Sequence, residues 1–201
     1  MSGLTTVVLC DACKRVIAKL EACADELNTL DAALGDGDLG VTMVRGGRSV
    51  LAELPDLPED LGMALLKCAQ ALTKLSGSTY GTLLATGLMS AAKMTKGRRE
   101  VPWAEVPALL DGALNAISQR SGARLGDKTV LDALDSVCAA TRGLQDPVSL
   151  VAAADQAAAA ALNRFRDQPS RQGRARIFAD RSVGRDDPGM VAFKRITEAL
   201  E

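Results

Sequence analysis

The sequence predicts an all-α protein, on three observations of its composition and pattern. Apolar residues make up 47% of the 201 residues but aromatic residues only 2%, so the core must be built from Ala, Leu, Val and Met. Alanine is the best helix former, whereas strands favour aromatic and β-branched side chains. Apolar residues recur at steps of three and four, and no alternating run typical of a strand is found.

The first half of the chain contains four of the predicted helices. Residues 9–27 form the first, because one apolar face is made by Leu9, Cys13, Val16, Leu20, Cys23 and Leu27. Glycines at 35–40 interrupt the pattern, which resumes at Val41 and reaches a loop at 55–58. Residues 61–75 are again apolar and helical. A turn with helix-capping residues at 76–79 then starts a helix through Leu83, Leu84, Leu88 and Ala92.

The second half contains the other helices. Residues 96–100 end the preceding helix, and Pro102 and Trp103 open the next, with Val106, Leu110, Ala113 and Ile117 on one face. After the segment 122–128, residues 129–141 are predicted to be helical. Pro147 starts an Ala-rich helix that stops near Pro169, and a last helix begins at Pro188.

The helices number roughly eight and are joined by short loops. Short loops make consecutive helices antiparallel neighbours, so we expect an up-and-down bundle or α-barrel. The length fits one ordinary domain, and no change of composition marks a boundary. The sequence therefore predicts a single domain over residues 1–201.

Charge, hydropathy and cysteine content exclude several classes of protein. A net charge of −1 favours neither nucleic acid nor an anionic membrane as a partner, and no stretch approaches about 18 uninterrupted apolar residues. The N-terminus has no signal-peptide pattern, and five cysteines, an odd number, are typical of the reducing cytoplasm. The pair Cys10 and Cys13 is a weak zinc motif, because no second pair exists and Cys13 lies on the apolar face. Histidine is absent, which excludes Ser-His-Asp catalysis, histidine-ligated metals and a phosphohistidine on this chain.

The loop Gly35-Asp-Gly-Asp-Leu-Gly40 matches the pattern G-x-G-x-x-G of dinucleotide-binding proteins. That motif requires a preceding strand and a bare backbone for the pyrophosphate, whereas here the preceding segment is helical and two carboxylates occupy the variable positions. An EF-hand is excluded because the twelfth position from Asp36 is Gly47 rather than Glu. The loop therefore needs another explanation.

The aspartates of this loop indicate a cation site. Asp31 is expected in the last turn of the first helix, where Asp36 and Asp38 can reach the same point. Three converging carboxylates repel one another unless a hard cation neutralises them, and magnesium prefers a few carboxylates with phosphate oxygens and water. The alternative is that Asp36 and Asp38 only cap the following helix.

Four sequence blocks are distributed over nearly the whole chain: Leu30-Asp-Ala-Ala-Leu-Gly-Asp-Gly-Asp-Leu-Gly40, Ser76-Gly-Ser-Thr-Tyr-Gly-Thr82, Gly126-Asp-Lys-Thr-Val-Leu-Asp132, and Gly173-Arg-Ala-Arg leading to Asp180-Arg-Ser-Val-Gly-Arg-Asp-Asp-Pro-Gly189. In their order and spacing they resemble the L subunit of dihydroxyacetone kinases. The resemblance implies an eight-helix α-barrel that binds nucleotide at one end. It also implies a separate K subunit that holds the ketose.

The resemblance assigns residues to the site. It implies that a pair of magnesium ions is bound by Asp31, Asp36 and Asp38. It implies contacts to ADP or ATP from Leu39, Gly40, Val41, Thr42, Leu75, Ser76, Gly77, Ser121, Gly122, Val130, Arg174, Asp187, Pro188 and Gly189. An arginine fork suits phosphate oxygens, although the other arginines around Arg174 make a solvated basic face the alternative for that position. For residues 126–129 a helix start capped by Asp127 or Thr129 and a ligand contact are both left open.

The leading hypothesis is a phosphotransferase subunit that phosphorylates dihydroxyacetone or a related small ketose on the K subunit. Catalysis of this type is mostly positioning and electrostatics, so no general base is assigned in this chain. Two donors are open: freely exchanging ATP, or bound ADP rephosphorylated by a phosphohistidine carrier subunit of the phosphotransferase system. The family usually has His where this chain has Leu39, which keeps open a nucleotide-binding regulatory module that transfers nothing. The sequence does not distinguish a monomer from a homodimer.

Overall fold

The computed structural model describes residues 3–75 and 78–201 and confirms the all-α class. These residues form ten α-helices and two short strands. In chain order they are β1 (Gly3–Thr5), α1 (Thr6–Ala22), α2 (Ala24–Leu34), α3 (Leu39–Glu53), α4 (Leu61–Leu75), α5 (Thr79–Thr95), β2 (Glu100–Pro102), α6 (Val106–Ser121), α7 (Val130–Thr141), α8 (Pro147–Phe165), α9 (Ala179–Ser182) and α10 (Pro188–Glu198). Single 3₁₀ turns lie at Leu54–Asp56, Trp103–Glu105 and Arg174–Phe178.

Eight of the ten helices form a closed ring. Each packs on the next in the order α1, α3, α4, α5, α6, α7, α8, α10, and α10 packs back on α1. Helix α2 continues α1 and contacts α3 and α10, while the four-residue α9 lies in the segment before α10. The ring therefore has the predicted number of members, and the two further helices account for the difference from the predicted count.

The helix predicted over residues 9–27 is broken. Cys23 leaves the helical conformation, with φ −107° and ψ 13°, and its N–H bonds to the carbonyls of Lys19 and Glu21, so α1 ends and α2 begins there. Leu20 and Leu27 on either side are both buried in one core cluster. The apolar period continues through the break, which is why the sequence pattern did not show it.

The start of the helix predicted at Pro102 and Trp103 is also different. Residues Glu100–Pro102 form strand β2, which pairs antiparallel with β1 so that Leu4 faces Val101. A 3₁₀ turn, Trp103–Glu105, follows, and α6 begins only at Val106. Strands of three residues are too short to show an alternating pattern, so only the pairing reveals them.

Other boundaries follow from capping chemistry that the sequence shows directly. Thr129 caps α7 in a capping box with Asp132, and Asp146 caps α8 directly before Pro147. Ser78 accepts the Gly81 N–H at the start of α5. Three of these starts agree with the positions expected from the sequence to within one residue. Of the residues described, none belongs to a helix long and apolar enough to cross a membrane.

Candidate functional site

One end of the ring holds a cavity of about 890 Å³. Helices α3, α5, α7 and α10 each direct their N-terminus toward it, and the last residues of α2 and α6 complete its wall. The floor is apolar, since Leu39, Tyr80 and Val130 line the cavity and also belong to the core cluster beneath it. Helix N-termini carry partial positive charge, so the end of the ring where they meet favours an anionic ligand.

The aspartate loop lies at the mouth of this cavity. A side chain at Gly35 would meet the Asp31 carboxylate, with the two atoms only 2.5 Å apart, so glycine leaves room for that carboxylate to turn inward. Gly37 has a φ of +76°, a conformation that other residues rarely adopt. These two glycines fold the chain back so that one carboxylate oxygen from each of Asp31, Asp36 and Asp38 lies within 4.8 Å of the other two.

The start of α3 is capped by neighbours from α2 and not by the loop aspartates. An oxygen of Asp31 accepts the N–H groups of Asp38 and Leu39 at 3.0 and 3.3 Å. Asn28 accepts the N–H of Val41 at 3.2 Å, while Asp38, in the N-cap position, makes no side-chain capping bond. The capping alternative is therefore wrong for Asp38, whose carboxylate is exposed and free to take another partner.

Arg174 supplies the cation that the structure places at this loop. Its guanidinium forms an ion pair with Asp36, and both side chains are exposed. One guanidinium offsets only part of the charge of three carboxylates, so the loop keeps the negative charge and the oxygen ligands that a magnesium ion prefers. The three aspartates therefore fit a divalent cation, with the guanidinium of Arg174 beside Asp36.

Most residues implied as nucleotide contacts meet at this cavity. The walls include, from the predicted set, Asp31, Asp36, Asp38, Leu39, Thr42, Ser121, Val130, Arg174, Asp187, Pro188 and Gly189. Gly40, Val41 and Gly122 do not line it. Gly40 is a packing position, because a side chain there would overlap the Ala24 carbonyl, and Gly122 ends α6 in the left-handed conformation with φ 67°. Leu75 is the last residue of α4, and Ser76 and Gly77 lie outside the described residues.

Most backbone N–H groups at the start of α3 are bonded to acceptors within the protein and are not free to bind a ligand. The N–H of Leu39 bonds to Asp31, that of Val41 to Asn28, and that of Thr42 to the Asp38 carbonyl at 2.9 Å. Three of the four implied nucleotide contacts in this segment, Leu39, Val41 and Thr42, thus donate their N–H groups to protein acceptors. Thr42 still lines the cavity.

Asp187 and Tyr80 are the two ionisable groups of the wall whose pKa departs most from its ordinary value. Burial raises the pKa of Asp187 to about 6, opposed by the Met190 N–H that its carboxylate accepts at 2.9 Å and by the charge of Lys128. Burial also raises the pKa of Tyr80, and the charge of Asp187 adds to that effect. The hydroxyl of Tyr80 is buried without a hydrogen-bond partner among the described residues. Burial consequently favours the protonated form of these two side chains.

The sequence did not identify several residues of the wall. Two kinds of signal could have found some of them: Arg45 is one turn beyond Thr42 on α3, and Arg120 directly precedes Ser121. Sequence signals also exist for most of the others: Thr79, Tyr80 and Thr82 lie in the second of the four blocks, Leu131 lies in the third, and Gln172 directly precedes Gly173. Thr129, for which a cap and a ligand contact were both left open, caps α7 and also lines the cavity. Leu83 lies in none of the blocks and reaches the cavity through the ring closure.

Comparison with known proteins places this geometry in context. The sequence profile of the DAK2 domain matches residues 33–201. The ADP-binding subunit DhaL of the PEP-dependent dihydroxyacetone kinase of Escherichia coli K12 is 31% identical over 199 residues, covering 92% of this chain and 94% of that subunit. The L-erythrulose 1-kinase of Mycolicibacterium smegmatis is 33% identical over 94% of this chain, which spans 35% of that longer enzyme.

A solved structure agrees with the sequence comparison. The dihydroxyacetone kinase of C. freundii, in complex with AMP-PNP and Mg²⁺, superimposes with a TM-score of 0.76 and 26% identity. All of this chain is covered, against 34% of the C. freundii chain. The helical ring described above is therefore the fold of one part of that enzyme.

Proposed function

This chain belongs to the DAK2 domain family, and on that premise we propose that it is the nucleotide-binding subunit of a dihydroxyacetone kinase, which binds ADP or ATP with magnesium. The observation that carries the proposal is the convergence of Asp31, Asp36 and Asp38 within 4.8 Å at the mouth of a cavity of about 890 Å³. The E. coli relative is an ADP-binding subunit, and the C. freundii kinase was solved with AMP-PNP and Mg²⁺. Both support the proposal.

Different residues of the cavity would bind the magnesium, the phosphates, and the base and sugar of the nucleotide. The three aspartates hold magnesium, which when bound bridges phosphate oxygens and offsets the charge that spreads during phosphoryl transfer. Arg174 leaves Asp36 for the phosphates, where its fork of donors matches two oxygens. Val130 and Ser121, which line the same cavity, would contact the base and sugar, as the family resemblance implies. Two magnesium ions, as the family resemblance implies, would share the three carboxylates.

The phosphoryl acceptor is proposed to be a small ketose held by a separate K-type subunit. The wall offers arginine and hydroxyl side chains that suit phosphate oxygens. The DhaL relatives are named as subunits of a dihydroxyacetone kinase, which supports a partner chain. The donor is either exchanging ATP or a phosphohistidine carrier subunit. The cytoplasmic location stays a prediction from the sequence.

One observation favours the alternative of a regulatory module that binds nucleotide without transferring phosphate. Leu39 follows the third aspartate where the family usually has histidine, and its side chain is buried in the core cluster with 8% exposure. An apolar, buried side chain at this position offers the ligand neither a proton nor a charge. The two functions differ in turnover and not in binding.

Thermal unfolding tests the binding that both functions share. Parent protein and the variant Asp36→Asn are melted with ADP alone, magnesium alone, and both. Ligand at 100 times its Kd should raise the parent melting temperature by about 5 to 10 °C. The variant should lose the part of that rise that depends on magnesium, whereas Asp11→Asn, an exposed aspartate of α1 that pairs only with Lys14, should keep it. An unshifted parent would refute both functions.

Transfer is then tested with a K-type subunit and dihydroxyacetone. Formation of the phosphorylated ketose from ATP, or from phosphoenolpyruvate through a carrier subunit, identifies the donor. Binding of magnesium nucleotide without product in either system would instead support the regulatory module. Replacing Leu39 by His in that case should leave binding intact and reveal whether this position limits transfer.

A further inference from the structure

Residues 166–182, which we call the arginine loop, follow α8 and end with α9, a few residues before α10 begins. Gln172, Gly173, Arg174 and Ala175 of this loop line the cavity. The loop has little apolar burial of its own: its 3₁₀ turn Arg174–Phe178 has no buried residue, and Ile177 is 75% exposed. Something other than core packing must therefore hold the loop over the cavity.

Lys128 is the residue that closes the loop at its two ends. Its side chain is only 1% exposed, and its ammonium donates to the carbonyls of Arg166 at 2.9 Å, Gln168 at 2.8 Å and Ser182 at 2.7 Å. An ammonium has three N–H donors, and each finds an acceptor here. Two acceptors lie at the beginning of the loop and one at its end, so a single charged group fixes both ends together.

The local geometry is specific for this arrangement. Lys128 has a φ of 61°, which among the described residues other than glycine occurs only here. A side chain longer than those of Asn or Asp seldom adopts this conformation, and it persists where surrounding contacts determine it. Burial lowers the pKa of Lys128, so the three carbonyls are needed to hold the charged form. The Arg166 carbonyl lies at the C-terminus of α8, where the helix dipole favours a cation.

Two hydrogen bonds donated by backbone N–H groups hold the arginine loop in the same place. The Arg171 N–H bonds to the Asp127 carbonyl at 3.0 Å, and the Ser170 N–H bonds to the Ser182 hydroxyl at 2.7 Å. The turn that carries Asp127 and Lys128 leads directly into Thr129, the cap of α7, which itself lines the cavity. The beginning of the arginine loop is thus bonded both to the turn before α7 and to the end of the same loop.

We propose that Lys128 is a positioning residue for the nucleotide site, whose buried ammonium closes the arginine loop so that Arg174 is held over Asp36 and the phosphate position. The proposal rests on the proposed nucleotide site for its effect on binding. The closure itself exists without nucleotide. It can therefore be tested separately from the function.

Trypsin tests the closure in the free protein, because the loop contains Arg171, Arg174, Arg176 and Arg181 as cleavage sites. The variant Lys128→Met keeps the length of the side chain and removes its charge. We expect cleavage in the loop to be about tenfold faster or more than in the parent, with the other helices still intact. Lys93→Met, an exposed lysine near the end of α5, is the matched control and should be cut like the parent. Unchanged loop cleavage in a folded Lys128→Met variant would overturn the proposal, as would equal acceleration throughout the chain.

Binding of magnesium ADP tests the link to Arg174. Lys128→Met should weaken binding about tenfold, Arg174→Met should weaken it as well, and the double variant should be no weaker than Arg174→Met alone. Additive losses would mean that Lys128 acts elsewhere and would overturn the positioning role. A parent protein that binds no nucleotide would refute the proposed function, while the trypsin result would still decide the closure.

A second variant, Ser182→Ala, tests the loop closure independently if Lys128→Met does not fold. Ser182→Ala removes the hydroxyl that accepts the Ser170 N–H across the same closure and leaves Lys128 in place. Its loop should be cut faster than that of the parent, by less than in Lys128→Met. Cleavage at the parent rate would overturn the proposal in this arm too.

Discussion

The raised pKa of Asp187 makes a quantitative prediction about stability. Asp187 caps α10 through a 2.9 Å hydrogen bond from the Met190 N–H and lines the cavity. Its pKa rises from 3.8 to about 6, chiefly because burial disfavours the charged carboxylate. An acid whose pKa is raised on folding binds more protons in the native state than in the unfolded state. The free energy of unfolding therefore falls as the pH rises between about 4 and 6.

The magnitude follows from the two pKa values. Each tenfold change in the protonation equilibrium is worth about 1.4 kcal/mol, so ionised Asp187 lowers the free energy of unfolding by about 3 kcal/mol above pH 6. The variant Asp187→Asn keeps a capping oxygen and carries no charge at any pH. It should equal the parent below about pH 4 and exceed it by about 3 kcal/mol at pH 7, a rise of roughly 6 to 12 °C in melting temperature.

Urea unfolding followed by far-UV circular dichroism from pH 4 to pH 8, without nucleotide, measures this difference. Asp146→Asn is the matched control, because Asp146 caps α8 through a 2.8 Å bond from the Ser149 N–H but has a lowered pKa. Its capping contribution is present above the ordinary pKa and lost in acid, so the Asn variant should gain nothing at pH 7. The reasoning fails if Asp187→Asn tracks the parent at every pH or gains stability only in acid.

Four further substitutions test the packing and the hydrogen bonding around the site. Leu27→Ala empties a position with no exposed surface and should cost about 3 to 5 kcal/mol in urea unfolding. Asp132→Asn replaces one of two buried oxygens that accept N–H groups at 2.6 and 2.8 Å, and should cost about 1 to 3 kcal/mol in thermal unfolding. Gly40→Ala forces a side chain onto the Ala24 carbonyl and should lower the free energy of unfolding by about 1 to 3 kcal/mol. Gly46→Ala, which meets only the end of a leucine side chain, should be tolerated better in the same assay.

Sequence predicted the helices best where periodicity and capping chemistry agree. Helix α4 has the predicted bounds, Leu61–Leu75, and α8 and α10 begin at the predicted prolines. The break at Cys23 has neither glycine nor proline, and the paired strands β1 and β2 are separated along the chain by helices α1 to α5. Local pattern carries no information on either, because both are decided by how distant segments meet.

In the site, too, the sequence predicts residues that are close along the chain and misses those that distant segments bring together. The aspartates were predicted because they lie within eight positions of one another, so the local chain alone brings them together. Tyr80 and Gln172 come from helix α5 and the arginine loop and reach the cavity only through ring closure. Lys128 was expected in a helix start with Asp127 or Thr129 as cap; Thr129 is the cap, and the burial of the lysine depends on carbonyls some 40 positions away.

Hydrogen bonding at the cavity indicates which groups are left to bind phosphate. Each of the four N-termini that meet there has an N–H group capped by the chain itself: Asp31 accepts the Leu39 N–H, Ser78 the Gly81 N–H, Thr129 the Leu131 N–H and Asp187 the Met190 N–H. Their dipoles still favour an anion, but these N–H groups are not free to bind it. In the proposed nucleotide site, phosphate recognition would then rely more on cations, namely the arginines of the wall and the magnesium that the aspartates would hold. For this reason Asp36→Asn and the loss of loop closure at Lys128 should each weaken nucleotide binding more than removal of the Ser78 or the Thr129 cap, neither of which is a proposed magnesium ligand.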